Sequence, residues 1–417
     1  MCDTLCVLED DRTLFAKSSD RPFGEVQVVE ALPRRPSGGT LHTQYLTILD
    51  HGAGPILGGR PTWLWGLEHG VNEHRVAIGN ERIWTKDDPA LAPAAFTGMD
   101  LVRLGLERAA DAEEAVDLIT NLLEEHGQGG VGEEATGEAY FSSFLVADPA
   151  SAWIVETSGR TWAVKPVDRR ARGAAISNRV SLELDWTGAS SDVPPGANFQ
   201  RWRDLDYPTA HADQRIAAAE QVVRQARGPR DLVALLRHHG GHPWSGGLDD
   251  PEGRTERASI DPIPPPEVHR DGTGVSICMH LRNWEATTGA IVAELHQDPE
   301  VVPRAWVALG NPCVSIFVPV FPPDASPAVL ADPRTWGAFD RLKRAADAAA
   351  DRAAAAGDPD RGLAVLATIR DHLGPVERTL WDEADEAADG GAAARAAFLA
   401  TVPGRLAGVF ERVERAL

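Results

Sequence analysis

Long apolar runs and cysteine are both scarce in this sequence. No stretch approaches the roughly 18–20 consecutive apolar residues of a transmembrane helix, and the first residues lack the basic flank and apolar core of a secretory signal. Cysteine occurs four times in 417 residues, too rarely and too far apart for a disulfide framework or a metal cluster. These scarcities predict a cytoplasmic protein that holds no metal and enters no membrane.

Basic residues are outnumbered by acidic ones. There are 41 Lys and Arg against 62 Asp and Glu, which gives a net charge of −21, and the basic residues form no blocks. This balance disfavours nucleic acids and anionic membranes as partners. The length and the 43% hydrophobic content allow one large catalytic domain with an appendage, or two domains.

The first 22 residues predict a β-hairpin, with an acidic turn between two β-prone runs. Removal of Met1 would leave Cys2 with both a thiol and a free α-amine. With reference pKa values of about 8.5 and about 7.7–8.0, the amine can accept the proton of the thiol. The returning strand would bring Lys17 and Asp20 close, where a cation favours the thiolate and a carboxylate orients the amine. Cys2 is therefore a candidate nucleophile; the alternative is an inert buried cysteine at the start of a strand.

Seven short motifs follow one another over residues 2–178. Together they resemble the secernins, a family that belongs with the cysteine dipeptidases and, more distantly, with the bile salt hydrolases and penicillin V acylases among N-terminal-nucleophile hydrolases. The motifs are CDT at 2–4, KSSDRP at 17–22, RPTWLWG at 60–66 with NEH at 72–74, NERIWT at 80–85, GMDLVRLGLER at 98–108, LLEEHGQGG at 122–130 and ISN at 176–178.

The resemblance implies an α+β fold, a four-layer αββα sandwich, with site residues at defined positions. Cys2 matches the nucleophile and Asp20 the carboxylate that holds its amine, while Lys17 falls where more distant acylases place an arginine. Asn80 and Asn178 match positions that contribute to the oxyanion hole, where donors stabilise charge that develops in the transition state. A further arginine of the acylases has two candidates here, Arg270 and Arg282.

The pattern of apolar residues places these motifs on two sets of strands separated by helices. Residues 1–322 are expected to form the catalytic domain, and residues 323–417 a helical appendage packed on it, with homo-oligomer formation a possibility. Strands are predicted over 25–32, 42–49, 140–147, 152–157, 161–167, 275–281, 288–295, 305–310 and 314–320; helices over two segments of 97–126, over 212–226, 231–239, 336–356, 362–373, 375–388 and 392–417.

Three residues are candidates for substrate binding. Trp65 and Trp84 lie close in sequence to Asn80 and could wall an apolar pocket; alternatively, they fill core. His126 ends the second predicted helix, and the glycine-rich loop over 127–132 could border the cleft, although a glycine after a helix is often only a C-cap. The segment HHGGH at 238–242 invites a metal site, but no carboxylate or cysteine stands beside it at ligand spacing, so no metal is predicted.

These observations predict a cysteine amidohydrolase, without cofactor, that cleaves dipeptides or small N-acyl amides through an acyl-enzyme on Cys2. Its partner would be a small-molecule or peptide substrate. Two alternatives stay open: an acyltransferase on the same site, in which an amine replaces water as the acceptor, and a secernin-like regulatory or binding protein that turns over no substrate.

Overall fold

Two β-sheets stacked face to face form the centre of the protein. The computed structural model describes residues 1–207, 209–239, 275–281, 285–323, 326–356 and 360–417. The strands are β1 (Cys2–Leu8), β2 (Arg12–Pro22), β3 (Gln27–Leu32), β4 (Thr40–His42), β5 (Thr47–Leu49), β6 (Ile56–Pro61), β7 (His69–Asn72), β8 (Ala77–Ile83), β9 (Val131–Glu133), β10 (Glu138–Ala139), β11 (Phe141–Ala147), β12 (Ala152–Ser158), β13 (Thr161–Pro166), β14 (Gly173–Ile176), β15 (Gly188–Ala189), β16 (His280–Leu281), β17 (Glu285–His296), β18 (Arg304–Leu309) and β19 (Val318–Val320).

Helices cover both outer faces of the stacked sheets. They are α1 (Gly98–Arg108), α2 (Ala112–His126), α3 (Ala210–Gln225), α4 (Pro229–Leu236), α5 (Pro333–Ala355), α6 (Asp360–Asp389) and α7 (Gly391–Ala416). The first sheet has the order β14-β1-β2-β17-β18-β19, with β16 also on β17, and the second has the order β15-β13-β12-β11-β8-β7-β6-β3. Helices α1 and α2 pack on the second sheet, α3 and α4 pack on the first, and apolar side chains of both sheets meet between them. The α+β prediction of a four-layer αββα sandwich is confirmed.

The predicted hairpin at the start of the chain is present. Strand β1 pairs antiparallel with β2, with Cys2 opposite Ser19 and Thr4 opposite Lys17. Strand β17 pairs with the other edge of β2 and places Thr287 opposite Asp20. The hairpin therefore lies in the middle of a sheet, and the polar side chains of its strands are buried from Asp3 to Thr4 and from Lys17 to Arg21.

The two predicted helices over 97–126 begin where their capping residues indicate. Thr97 Oγ1 accepts a hydrogen bond from the Asp100 N–H at 3.1 Å, and the Asp100 carboxylate accepts one from the Thr97 N–H at 2.9 Å, which is a capping box. Asp111 caps α2 by accepting from the Glu114 N–H at 2.8 Å. Local sequence therefore fixes both starts.

Four secondary-structure predictions need correction. Residues 42–49 form two short strands, because a turn closes where the Thr43 N–H donates to the Leu46 carbonyl at 2.8 Å. Residues 275–281 are strand only at their end, and residues 312–314 form a 3-10 turn ahead of β19. Pro375 lies inside α6 instead of starting a helix, since the burial of Leu373 and Leu380 outweighs the cost of an interior proline, about 3 kcal/mol.

Helices α5 and α6 pack against the sheets, and α7 packs on α6. Trp336 in α5 donates to the Thr288 carbonyl at 2.9 Å, and Trp381 in α6 donates to the Phe317 carbonyl at 2.9 Å. Their apolar residues belong to the same large cluster as those between the sheets. The boundary at residues 322 and 323 stays a prediction. In the described part of the chain, no helix has the length and apolar character that crossing a bilayer requires.

Candidate active site

The sulfur of Cys2 lies against the backbone of Asp20. The Asp20 N–H donates to Cys2 Sγ at 3.4 Å, and the Asp20 carbonyl lies 3.8 Å from the same sulfur. Cys2 is 5% exposed. Burial raises the pKa of the Cys2 thiol to about 12, although the positive charges of Lys17 and of the terminal ammonium act in the opposite direction. While Met1 is attached, the thiol is protonated at neutral pH.

Met1 fills the space next to this sulfur. Its ammonium forms an ion pair with Glu285 and donates to the Asp20 carbonyl at 3.3 Å. Burial alone would lower the pKa of this ammonium, but the negative charges around it, with Glu285 the strongest, raise it. The Met1 side chain packs in an apolar cluster against residues that include Met279 and Trp84. The pocket therefore pairs the ammonium of Met1 with polar groups and the side chain of Met1 with apolar ones.

Asn178, just after β14, connects Cys2 to a buried arginine. Asn178 Oδ1 accepts hydrogen bonds from the Cys2 N–H and from the Arg215 guanidinium, both at 2.7 Å. Asn178 Nδ2 donates to the Arg82 carbonyl at 2.7 Å. An oxyanion role for Asn178 would therefore require Nδ2 to leave that carbonyl. In this structure, Asn178 orients the Cys2 nitrogen.

Arg215 and Glu285 are site residues that the sequence analysis missed. Arg215 projects from α3 and donates to Asp3 Oδ2 at 2.8 Å and to the Cys2 carbonyl at 3.1 Å. No motif surrounds Arg215, and only the predicted helix over 212–226 placed it on an ordered element. The candidates Arg270 and Arg282 both lie outside the described residues.

The carboxyl group of Asp20 is buried beside this arginine. Asp20 Oδ1 accepts from Thr287 Oγ1 at 2.6 Å, and Oδ2 lies 4.0 Å from Arg215. Burial raises the pKa of Asp20 to about 8, against the opposing influence of the terminal ammonium and of Arg215. The structure therefore brings together Asp20, Cys2 and Asn178.

Lys17 lies between the two sheets in a buried polar network. Its Nζ donates to Ser19 Oγ at 3.1 Å and lies 3.7 Å from Glu68 Oε2. Burial lowers the pKa of Lys17, but nearby negative groups, Cys2 first among them, raise it overall. A side chain at Gly79 would come within 2.7 Å of the Lys17 stem, which explains a glycine there. Lys17 is close enough to favour the Cys2 thiolate.

The structure does not bring the side chain of Asn80 to Cys2. Neighbouring side chains of a strand point to opposite faces. Glu81 faces the hairpin and accepts a hydrogen bond from Thr4, so Asn80 faces the helix layer, with Nδ2 3.4 Å from Met99 Sδ. Its backbone N–H lies 3.4 Å from the Glu68 carbonyl. The predicted contribution of Asn80 to an oxyanion hole would have to come from that N–H.

A cleft of about 970 Å³ opens beside Met1. Trp84, Arg82 and Tyr140 are among its lining residues. Trp84 stacks on Tyr207 with ring centroids 3.7 Å apart, and the Arg82 guanidinium lies 5.0 Å above the Trp84 ring. Trp84 also packs against the cluster that contains Met1, so this aromatic wall connects the Met1 pocket to the cleft. Trp84 lines the cleft, and its role in substrate binding stays a prediction.

Trp65 and His126 lie elsewhere. Trp65 packs with the apolar cluster under α1 and α2, below the guanidinium of Arg103 at 4.1 Å, so the core alternative holds for this residue. His126 makes an edge contact with Phe96 at 5.2 Å and does not line the cleft. Gly130, in the loop that follows α2, does line the cleft, as predicted for that loop.

Two of the cysteines meet in space, which corrects the expectation that they are too scattered for a metal cluster. Cys278 and Cys313 lie with His239 and His280 in a buried group whose potential ligand atoms are all within 4.8 Å of one another. The fold joins the Cys278–His280 segment to His239 and to Cys313, each of which is more than 30 residues away in the sequence. His242 of the HHGGH segment lies outside the described residues.

No protein-family model matches the chain. The structure is similar to that of a conjugated bile acid hydrolase variant from Clostridium perfringens, with a TM-score of 0.39 and 11% identity over 73% of this chain and 88% of that chain. It is similar to penicillin V acylase from Agrobacterium tumefaciens, with a TM-score of 0.42 and 11% identity over 77% and 86%. It is also similar to a Caenorhabditis elegans ortholog of N-acylethanolamine-hydrolyzing acid amidase, with a TM-score of 0.35 and 11% identity over 56% and 84%. At these values, none of the three assigns a substrate to this chain.

Proposed function

We propose that removal of Met1 produces a cysteine amidohydrolase that cleaves dipeptides with a free α-amine. The observation that carries this proposal is the position of Met1. Its acyl carbon is bonded to the Cys2 nitrogen, next to the Cys2 sulfur, and its ammonium is paired with Glu285. Met1 therefore has the arrangement of an aminoacyl group at the nucleophile.

The position of Met1 resembles that of an acyl-enzyme. In an acyl-enzyme the acyl carbon is bonded to Cys2 Sγ instead of the Cys2 nitrogen. These two atoms belong to the same residue and are separated by Cα and Cβ, so the acyl group would occupy nearly the same place. The pocket of Met1 then receives the first residue of the substrate, and Glu285 receives its α-ammonium. The cleft beyond Trp84 receives the leaving residue. A charge-assisted pair of this kind favours a free dipeptide over an N-acyl amide.

The free amine of Cys2 serves as the base. Asn178 Oδ1 accepts a hydrogen bond from one N–H of this amine. The lone pair of the amine is therefore free to take the thiol proton. The sulfur attacks the amide carbon, the amine passes the proton to the leaving nitrogen, and the C–N bond breaks. Water, deprotonated by the same amine, then cleaves the thioester. Lys17 favours the thiolate, and Asp20 and Arg215 steady the amine and Asn178.

An acyltransferase is the second candidate, and the burial of Cys2 favours it. With Met1 in place Cys2 is 5% exposed, and an acyl group in the same pocket would cover the sulfur from water in the same way, so an amine bound in the cleft competes well for the thioester. Product analysis with and without added amines separates the two activities. A regulatory or binding protein without turnover is the third candidate; retention of Met1 favours it, because the Cys2 nitrogen is then an amide and not a base.

Glu285 provides the test of the substrate class. With the processed protein, a dipeptide is compared with its N-acetylated form for the parent and for Glu285→Gln, which keeps the shape and removes the charge. Hydrogen bonds to charged groups contribute about 1.5–3 kcal/mol, so the variant should lose about 10- to 100-fold in kcat/KM on the free dipeptide. It should lose little on the acetylated form. Equal losses on both substrates, or a parent that prefers the acetylated form, contradict the proposal.

A reducing compartment suits this chemistry. All four cysteines are free and buried, and a free thiol at Cys2 must stay reduced to act. We therefore propose the cytoplasm as the place of action.

A further inference from the structure

The strongest observation outside the proposed active site is a buried group of two cysteines and two histidines. His239 follows α4, Cys278 and His280 belong to the segment over 275–281, and Cys313 lies in the turn after β18. His239 is 1% exposed, Cys278 is fully buried, and the other two are at most 5% exposed. Two thiols and two imidazoles from three separate parts of the chain therefore lie together at one buried position.

We propose that these four side chains bind one zinc ion. Cysteine thiolate and histidine imidazole are the ligands of tetrahedral structural zinc sites, and a set of two of each is a common combination. With Zn–S of about 2.3 Å and Zn–N of about 2.0–2.1 Å, a tetrahedron separates a sulfur from a nitrogen by about 3.5 Å.

The distances agree with such a tetrahedron. His280 Nε2 lies 3.6 Å from Cys278 Sγ and 3.2 Å from Cys313 Sγ. The rings of His239 and His280 are 5.1 Å apart and inclined by 51°. The widest pair of potential ligand atoms, at 4.8 Å, exceeds a tetrahedral sulfur–sulfur separation by about 1 Å, so the side chains would draw in around the ion.

The surroundings of His280 also suit a zinc ligand. Its other ring nitrogen, Nδ1, lies 3.4 Å from Asp347 Oδ1 on α5. A carboxylate behind a ligating histidine fixes the tautomer and the ring orientation, and this arrangement accompanies most zinc-bound histidines. Asn311 Nδ2 lies 4.0 Å from Cys278 Sγ, near enough to donate to a thiolate.

The bound ion would be structural. Four protein ligands complete a tetrahedron and leave no position for substrate or water. The ion would join α4, the segment over 275–281 and the turn after β18. Met279, between two of the ligands, packs on Met1, and its N–H donates at 2.8 Å to Thr287 Oγ1, which in turn donates to Asp20. The zinc site would thus hold one wall of the Met1 pocket.

Metal analysis of the full-length protein tests this proposal. Protein expressed with added zinc and freed of loosely bound metal should contain about one zinc per chain. Replacing zinc by cobalt should produce the visible d–d bands of tetrahedral Co²⁺ and a sulfur-to-cobalt charge-transfer band. Cys278→Ala and Cys313→Ala should each lose the metal. Cys6→Ala, which removes a buried cysteine of β1, and Cys2→Ala, which removes the nucleophile, should each retain it.

If Cys278→Ala and Cys313→Ala fail to fold, the proposal can still be tested with the parent protein. A thiol-modifying reagent added to the parent should then release about one zinc per chain into a colorimetric chelator. Parent protein that contains no zinc and takes up neither zinc nor cobalt contradicts the proposal, as does a disulfide between Cys278 and Cys313. Since Cys2→Ala has no nucleophile but should carry zinc, failure of this proposal and failure of the proposed function are distinguishable.

Discussion

Asn178 Oδ1 accepts a hydrogen bond from the Cys2 nitrogen at 2.7 Å, and the same oxygen accepts one from Arg215 at 2.7 Å. The nitrogen that would become the free amine is therefore already oriented while it is still an amide. Arg215 in turn is held by Asp3, so the acceptor has little freedom to move. Removal of Met1 would expose an amine next to an acceptor that is already hydrogen-bonded to Arg215.

Replacement of Asn178 should impair the chemical step. Asn178→Ala removes the acceptor that directs the amine, and we expect a loss of about 100- to 1000-fold in kcat, comparable to the loss of a preorganised hydrogen bond at a reacting centre. The pH–rate profile should change as well, because the base is no longer held. Steady-state kinetics on a dipeptide over a range of pH measures both effects.

Asn80→Ala is the matched control for Asn178→Ala. The Asn80 side chain is equally buried but faces Met99 and the helix layer, so its loss should lower the free energy of unfolding by about 1 kcal/mol. Its effect on kcat should be small. If Asn80→Ala matches Asn178→Ala in lost kcat, the placement of these two side chains relative to the nucleophile is wrong.

Arg215 should not be replaceable by lysine. Its guanidinium donates at the same time to Asp3 and Asn178, which a single ammonium does not reproduce. Arg215→Lys should lower the free energy of unfolding by about 1–3 kcal/mol, and Arg215→Met, which leaves buried carboxylates without their cation, by about 3–5 kcal/mol. Urea denaturation measures both. The exposed Arg341 offers the control: Arg341→Lys should change stability by less than about 0.5 kcal/mol.

Stability should fall as the pH rises toward 8. Burial raises the pKa of Glu81 from 4.5 to about 8, although Lys17 acts to lower it. Between those values the folded protein binds a proton that the unfolded chain has released, so unfolding releases a proton. Each such group lowers the free energy of unfolding by up to about 1.4 kcal/mol per pH unit. Asp20, whose pKa is raised to about 8, contributes in the same direction.

Glu81→Gln removes one of these titrating groups and should make the free energy of unfolding depend less steeply on pH. Urea unfolding at several values between about pH 5 and pH 8 gives the slope for the parent and for the variant. Glu125→Gln changes an exposed residue and should leave the slope as it is. A Glu81→Gln variant with the same slope as the parent would show that Glu81 is already ionised in the folded protein.

Local sequence predicted the parts of the site that depend on neighbouring residues. The hairpin that brings Asp20 to Cys2 follows from two β-prone runs and a turn, and the starts of α1 and α2 follow from Thr97 and Asp111. The motifs placed Asn178 correctly beside Cys2. For Asn80 the motif gives a position on β8 but not the face to which the side chain points, and its contribution to an oxyanion hole stays a prediction.

Groups that depend on distant parts of the chain could not be predicted. Arg215 reaches Cys2 from a helix more than two hundred residues further on, and no motif marks it. His239 and Cys313 lie on other elements than Cys278 and His280, and tertiary packing brings the four side chains together. Trp65 and Trp84 look alike in sequence, and tertiary packing puts one in the core and the other in the cleft wall.

The most direct test is the mass of the protein before and after reaction with an ester of a single amino acid, which transfers its aminoacyl group to Cys2 Sγ and releases the alcohol. We predict a chain that lacks Met1 and gains the mass of one aminoacyl group on Cys2, with Cys6 unmodified; Cys2→Ala should neither gain this mass nor hydrolyse dipeptides. An active protein that retains Met1, or a Cys2→Ala protein that hydrolyses dipeptides as fast as the parent, would contradict the role of Cys2 as nucleophile and base.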